Sequence, residues 1–291
     1  MSSSRKSLGV IGGSGIYDFE GLENRKEVAV ETPFGPPSDL VVTGERFGVK
    51  MAFLPRHGRG HRIAPNELPF RANIHAMKQL GMDCVLGVSA VGSMKAELQP
   101  GHFVLVDQFI DRTRGRTEES TFFGNGCVAH AHFADPVWEP LRKLALQAAR
   151  QAGAHAHDGG TYICMEGPHF STRAESRLYR SWGASVIGMT NLQEAKLARE
   201  AEIAYATIAL VTDYDCWHEI EGDVDVAKVL AVIKKNGDLA HQTIVEAVRL
   251  IAEGDPISAA GGMSQAVMTA PDKVTADARL RLQLLIDQYL G

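Results

Sequence analysis

Residues 160–217 read GTYICMEGPHFSTRAESRLYRSWGASVIGMTNLQEAKLAREAEIAYATIALVTDYDCW. Three short apolar runs, 160–165, 185–189 and 203–211, alternate there with two segments of helical period, 172–182 and 192–200. Strands separated by helices imply a mostly parallel sheet covered on both faces. In such sheets ligands sit at the carboxyl ends of the strands, so the polar residues that close each run are where chemistry is expected.

The same alternation continues outward. Residues 8–11 form an apolar run that ends in Gly12-Gly13-Ser14-Gly15, the pattern of a strand entering a tight loop. Residues 39–43 and 49–54 flank Gly44-Glu45-Arg46-Phe47-Gly48 and read as an antiparallel hairpin. Residues 66–80 place Leu68, Ala72, Met77 and Leu80 on one helical face that stops at Gly81. Residues 83–89 and 103–109 read as buried strands around a loop at 90–101, and 136–153 as a helix with Asp135 as N-cap and Pro136 at its first position. A long amphipathic helix is expected over 225–252, a Gly/Ser/Ala/Met-rich linker over 254–270 and a terminal helix over 271–289. The expected organisation is one large α/β domain over 1–255, with 256–291 as linker and C-terminal helix.

Composition narrows the function classes. With 35 acidic and 30 basic side chains, the 291-residue chain carries a formal charge of −5, which argues against nucleic acid as a partner. Apolar residues make up 45 % and charged residues 22 %, ordinary globular usage that excludes disordered and fibrous classes. The four cysteines, Cys84, Cys127, Cys164 and Cys216, are scattered without metal-site spacing, and a reduced cytoplasmic setting with no metal is expected. The first seven residues are short, polar and basic, and the strand after them lacks the apolar length of a secretory signal. No apolar run is long enough to span a membrane, so no membrane partner is expected.

Five strand ends carry polar residues. The glycine-rich loop with Ser14 offers backbone N–H groups and a hydroxyl, equally a tight turn or an anion nest. Arg56-His57-Gly58-Arg59-Gly60-His61 concentrates two arginines and two histidines on one loop; a buried core does not easily hold that charge, and an anion clamp is favoured over a solvated turn. Ser89-Ala90-Val91-Gly92-Ser93-Met94 supplies small residues and backbone amides, either for close approach of a planar ligand or for packing. Met189-Thr190 closes a fourth strand, with Glu194 on the helix that follows. Asp213 and Asp215 close the fifth; acid/base work or hydrogen bonding to a heterocycle fits them better than a cap or a metal loop. The segment 166–172, with Phe170 and Ser171, is either a helix start capped by Ser171 or part of a sugar and base pocket.

At these residues the chain resembles the trimeric purine nucleoside phosphorylase family, and within it the branch acting on 5′-methylthioadenosine. The likeness runs over about residues 8–250 and rests on the ordered blocks IGGSG, TPFGPPSD, PRHGRGH, VSAVGSM, QPGHFVLVDQFIDRT, EGPHFSTRAES, GMT and TDYDCW. The resemblance implies a single α/β domain with a mixed, mostly parallel β-sheet flanked by helices, assembled as a homotrimer. It implies phosphorolysis of 5′-methylthioadenosine to adenine and 5-methylthioribose 1-phosphate, with inorganic phosphate as co-substrate and no other cofactor. Carried over by motif, Ser14, Arg56, His57, Ser89, Ala90 and Thr190 would bind phosphate, Met189 would lie on the ribose, and Asp213 and Asp215 would face the purine. Val226, Val229 and Leu230 would line a pocket for the 5′-methylthio group, with His130 reaching in from a neighbouring subunit.

Three rivals stand against that implication. Phosphorolysis of adenosine or 6-oxopurine nucleosides shares the fold, but the paired acids favour a 6-amino purine. A noncatalytic nucleoside sensor would not need the phosphate donors Arg56 and His57. A dinucleotide-dependent oxidoreductase rests on IGGSG alone and fails at the missing third glycine.

Overall fold

The computed structural model describes residues 6–13, 21–218 and 226–290. In chain order the elements are β1 (Ser7–Gly12), β2 (Glu23–Val28), β3 (Val41–Arg46), β4 (Val49–Pro55), α1 (Phe70–Gln79), β5 (Cys84–Ser93), β6 (Phe103–Leu105), β7 (Gln108–Arg112), α2 (Glu139–Gln151), β8 (Ala156–Asp158), β9 (Thr161–Met165), α3 (Arg173–Ser181), β10 (Val186–Gly188), α4 (Asn191–Glu200), β11 (Ala204–Asp213), α5 (Val226–Glu253) and α6 (Ala276–Leu290). The strands form one 11-stranded sheet in which β2-β3-β4-β1-β5-β10-β9-β7 are successive neighbours, while β11 joins β5 to β6 and β8 lies beyond β6. Six of its ten pairings are parallel, so the sheet is mixed and mostly parallel, as expected.

Every residue of β1 is buried, because β4 and β5 flank it and helices cover both faces. One apolar cluster joins Val10, Phe53 and Leu86 to residues of α2 and α5; another joins Ile11, Leu54 and Met77 to α4 and α6. Ala278, Leu282, Leu285, Ile286 and Leu290 of α6 belong to that second cluster, so the terminal helix docks on its own chain.

Several boundaries differ from the sequence expectation for local reasons. The helix expected from Pro136 with Asp135 as cap starts at Glu139 after Trp138, and the proline of its first turn is Pro140. The helix expected over 66–80 is divided into a 3-10 turn, Pro65–Glu67, and α1, because Pro69 supplies no N–H and becomes the N-cap. The cap of α3 is Thr172, whose hydroxyl accepts from the Glu175 backbone while the Glu175 carboxylate reaches back; Ser171 is not the cap. The run 103–109 is two strands on different parts of the sheet, β6 beside β11 and β7 beside β9.

The loop expected from residue 90 does not begin there. Strand β5 continues to Ser93, because β10 pairs antiparallel with its end, Ile187 opposite Gly92 and Val186 opposite Ser93. Strand β2, ENRKEV, has no apolar alternation to reveal it, since it is an exposed edge strand.

Candidate active site

The carboxyl ends of β4, β1, β5 and β11 meet the end of β10 at a cleft of about 520 Å³. Arg56, His57, Ser89, Ala90, Phe170, Met189, Thr190, Asp213 and Asp215 all line it, so five segments far apart in sequence deliver the expected residues to one place. Ser171 does not line it; its hydroxyl lies 3.7 Å from the Met165 sulfur. On this single chain His130 is exposed and away from the cleft, and Leu230 is 57 % exposed and also does not line it. Ser14 and the side chains of Val226 and Val229 lie outside the described residues.

Arg56 corrects the expectation that the basic loop would keep its charge out of the core. It is 0 % exposed, and the Glu194 carboxylate matches it twice, through Nε and through Nη2 at 3.0 Å. Its Nη1 donates to the Val88 carbonyl at 2.9 Å and its Nη2 to that of Ile11 at 3.2 Å. A bidentate, fully hydrogen-bonded pair is what lets a guanidinium sit without water. Glu194 is held in turn by the Tyr205 hydroxyl, 2.7 Å, and the Asn191 amide, 3.2 Å. Among the described residues one Nη1 proton has no acceptor and remains for a ligand. Gly13 packs against that edge: a Cβ there would come within 2.8 Å of Arg56 Nη1, so space excludes a side chain.

The neighbours of Arg56 divide. Arg59 turns away from the cleft to Glu27 and Asp39, at 2.8 and 3.4 Å, so the clamp uses one arginine rather than two. His57 is buried with Nδ1 2.8 Å from the Ile63 carbonyl, an arrangement that places the ring proton on Nδ1 and leaves Nε2 a bare acceptor. Burial, and then the charge of Arg56, push its pKa down to about 4. At neutral pH His57 therefore stays uncharged, accepts a hydrogen bond through Nε2 from a bound hydroxyl or protonated phosphate oxygen, and has no ring proton left to give a ligand.

The donors on the opposite wall come from β10 and α4. Thr190 is the N-cap of α4 and is buried, yet its side chain makes no cap hydrogen bond. The Thr190 hydroxyl and the N-terminal end of a ten-residue helix thus meet the cleft, where the helix dipole favours an anion. Ser89 is buried beside them and donates to the Asn191 side-chain oxygen.

The far end of the cleft is acidic. Asp213 accepts from the Thr212 hydroxyl at 2.7 Å on one oxygen and from the Asp215 amide at 2.7 Å on the other. Asp215 has a positive φ of 53°, which folds the chain back so that this amide reaches Asp213. Gly92 leaves the space: a Cβ there would lie 3.0 Å from Asp213 Oδ1. Burial raises the pKa of both acids, and the Asp213 charge raises that of Asp215 further. A buried carboxyl pair of this kind can share or donate a proton where a solvated one could not.

One support escaped the sequence reading. Arg116, buried, donates through Nε to the Glu166 carboxylate at 2.9 Å and through its Nη groups to the backbone carbonyls of Glu166 and Met189. The other Glu166 oxygen accepts from the amides of Arg114 and Gly115. One guanidinium thereby ties the 113–117 loop to both chain segments that carry Phe170 and Met189. It stands three residues beyond the block that ends FIDRT, and nothing in the sequence marks its partner.

Fold and site together define a small-molecule enzyme of the α/β class, with an anion-binding end and an acidic end in a single cleft. The chain belongs to the Phosphorylase superfamily, whose sequence profile matches residues 7–249. It is 56 % identical over 283 residues to the S-methyl-5′-thioadenosine phosphorylase of Geobacter sulfurreducens, spanning 97 % of this chain and 99 % of that protein. A crystal structure of methylthioadenosine phosphorylase from an antarctic soil metagenomic library superposes with a TM-score of 0.91 at 48 % identity, covering 98 % of this chain and 100 % of that one. The Schistosoma mansoni methylthioadenosine phosphorylase in complex with adenine superposes with a TM-score of 0.81 at 35 % identity, over 97 % and 99 % of the two chains.

Proposed function

We propose that the protein is a pentosyltransferase that cleaves 5′-methylthioadenosine with inorganic phosphate, giving adenine and 5-methylthioribose 1-phosphate for purine and methionine salvage. The observation that carries the reading is the polarity of the cleft: Arg56, Ser89, Thr190 and the N-terminus of α4 at one end, and the buried acids Asp213 and Asp215 at the other. The relatives named above support it.

The chemistry follows from that separation. Phosphate is a weak nucleophile in water, and holding it against fixed donors turns an encounter into a positioned attack on the sugar carbon. As the glycosidic bond breaks, the sugar becomes cationic and the base anionic. Asp213, whose pKa burial raises, delivers a proton to purine N7, and Asp215 accepts from the exocyclic amine. Met189, fixed through its carbonyl by Arg116, packs on the ribose between the two ends.

We further place the enzyme in the cytoplasm as a homotrimer needing no cofactor besides the phosphate it consumes. The cysteines are free, and no helix among the described residues is long and apolar enough to cross a membrane. In the trimer Val226, Val229 and Leu230 form the methylthio pocket and His130 completes a neighbour's site; the exposure of Leu230 and His130 on the single chain suits surfaces that a neighbour covers. The test is release of free adenine from methylthioadenosine, followed chromatographically with and without phosphate. Release only with phosphate, accompanied by a sugar phosphate, is expected. Equal release without phosphate would make the enzyme a hydrolase.

A further inference from the structure

A second cluster of chemistry-bearing side chains lies at the β8 edge of the sheet, outside the cleft. Strands β6 and β8 run parallel with Phe103 opposite Ala156 and Val104 opposite His157. That register sets His102, just before β6, beside His155, just before β8. The two-residue repeat of an extended chain then brings His157 to the same face as His155. The rings of His102 and His155 stack 4.0 Å apart, and the His157 ring is 5.0 and 4.9 Å from them. His157 Nε2 is 3.0 Å from His102 Nδ1, and one ligating nitrogen from each ring lies within 4.8 Å of the others.

We propose that His102, His155 and His157 form a binding site for a divalent transition-metal ion of the zinc type. Three imidazoles suit borderline ions such as zinc, nickel or copper, and are wrong for calcium or magnesium, which require oxygen. Zinc–nitrogen bonds of 2.0–2.1 Å in a tetrahedron put the nitrogens about 3.4 Å apart. His102 and His157 need to open by only a few tenths of an ångström, and His155, which is exposed, turns its ring edge-on from the stack. In the metal-free chain the Gln99 amide donates to His102 Nδ1 at 3.2 Å, a bond that the ion takes over on binding. The charged groups acting on His157 from outside the cluster are Glu97, which favours a cation, and Arg150, which opposes one. Glu97 or water completes the coordination.

The bound ion has a structural consequence near the catalytic strand. The His102 carbonyl accepts from the Val211 amide, and the Gly101 amide donates to the Val211 carbonyl, two residues before Asp213. Fixing His102 to β8 stiffens this edge of β11.

Zinc binding by the metal-stripped full chain, measured by competition against a chromogenic chelator in a non-coordinating buffer, tests the site. The Co²⁺-loaded protein should show the visible bands of a tetrahedral nitrogen site. Changes outside the first coordination sphere already weaken metal sites about 10–100-fold, so His157→Ala and His155→Ala, both accessible positions, should each lose about a hundredfold in zinc affinity. Zinc should raise the Tm of the wild type and leave the Tm of the folded double variant unmoved. One equivalent of zinc bound equally tightly by wild type and double variant would assign the metal to other groups, such as the stacked His57 and His61, and overturn the proposal. Absence of any tight equivalent in the wild type would overturn it as well.

Discussion

Replacing Glu194 by glutamine keeps its volume and one acceptor oxygen but removes the negative charge from a guanidinium that is 0 % exposed. Arg56 does not deprotonate, and among the described residues no other carboxylate is hydrogen-bonded to it, so its charge is left buried without a counterion. Breaking one half of a buried ion pair costs about 3–5 kcal/mol. With an unfolding entropy of about 2 cal/mol/K per residue, a chain of 291 residues loses about 5–8 °C in Tm. Arg56 also lines the cleft, so phosphate supplies the charge that glutamine withholds. At 100 times its Kd a ligand adds about 2.7 kcal/mol to stability, about 4 °C here. The Glu194→Gln variant should gain clearly more than that at the same phosphate concentration. Thermal unfolding of both proteins over a phosphate series gives the comparison. A variant that melts with the wild type, or that phosphate stabilises no more than the wild type, would show that Glu194 does not neutralise Arg56 and that Arg56 does not face the anion.

Three other outcomes are expected. Asp213→Asn keeps the acceptor for the Asp215 amide and turns its NH2 to the Thr212 hydroxyl, which can accept while donating to the Val91 carbonyl, and it removes the acid, so kcat/KM on methylthioadenosine should fall about 10²–10⁴-fold with little change in Tm and a smaller loss on methylthioinosine; an undiminished rate would make Asp213 a turn residue only. His57, depressed to about 4 from 6.5, takes up a proton in the unfolded chain before the folded one as pH falls, so it destabilises the fold increasingly between pH 6.5 and 4. Relative to wild type, His57→Gln should gain about 2–3 kcal/mol on going from pH 7.5 to 4.5. Glu200, raised to about 7 by burial, slopes the opposite way, so the difference between the two melting curves isolates His57, and a difference independent of pH would refute the assignment. Gly167→Ala should cost about 1–2 kcal/mol for its φ of 70° and raise the nucleoside KM, since the new Cβ would lie 2.6 Å from the Met189 sulfur; unchanged KM and Tm would separate Met189 from the ribose.

What was legible in the sequence was local. The strands β9 and β11 and the helix α4 were found because apolar period and strand length are properties of a few consecutive residues. Arg56, Thr190 and Asp213 were found as site residues for a related reason: they end apolar runs, and the carboxyl ends of parallel strands share one edge of the sheet. Edge and strand-end choices with no local signal were missed or misplaced. Charged β2 reads as a loop, and β5 runs on past Ser89 because β11 and β10 both pair with its end.

Partnership was decided by tertiary structure alone. Arg56 looked too polar for a core, yet it is buried because Glu194, 138 residues away, meets it with two oxygens. The same is true of Arg116 with Met189, and of His102, which lies beside His155 and His157 only through the register of β6 against β8. The energy of a buried charge depends on what is folded against it, and sequence distance carries no information about that. Hydrophobic period and strand ends thus placed the cleft, whereas the charge state of each residue in it, from the neutral His57 to the protonatable Asp213, was set by burial and neighbours that exist only in the folded chain.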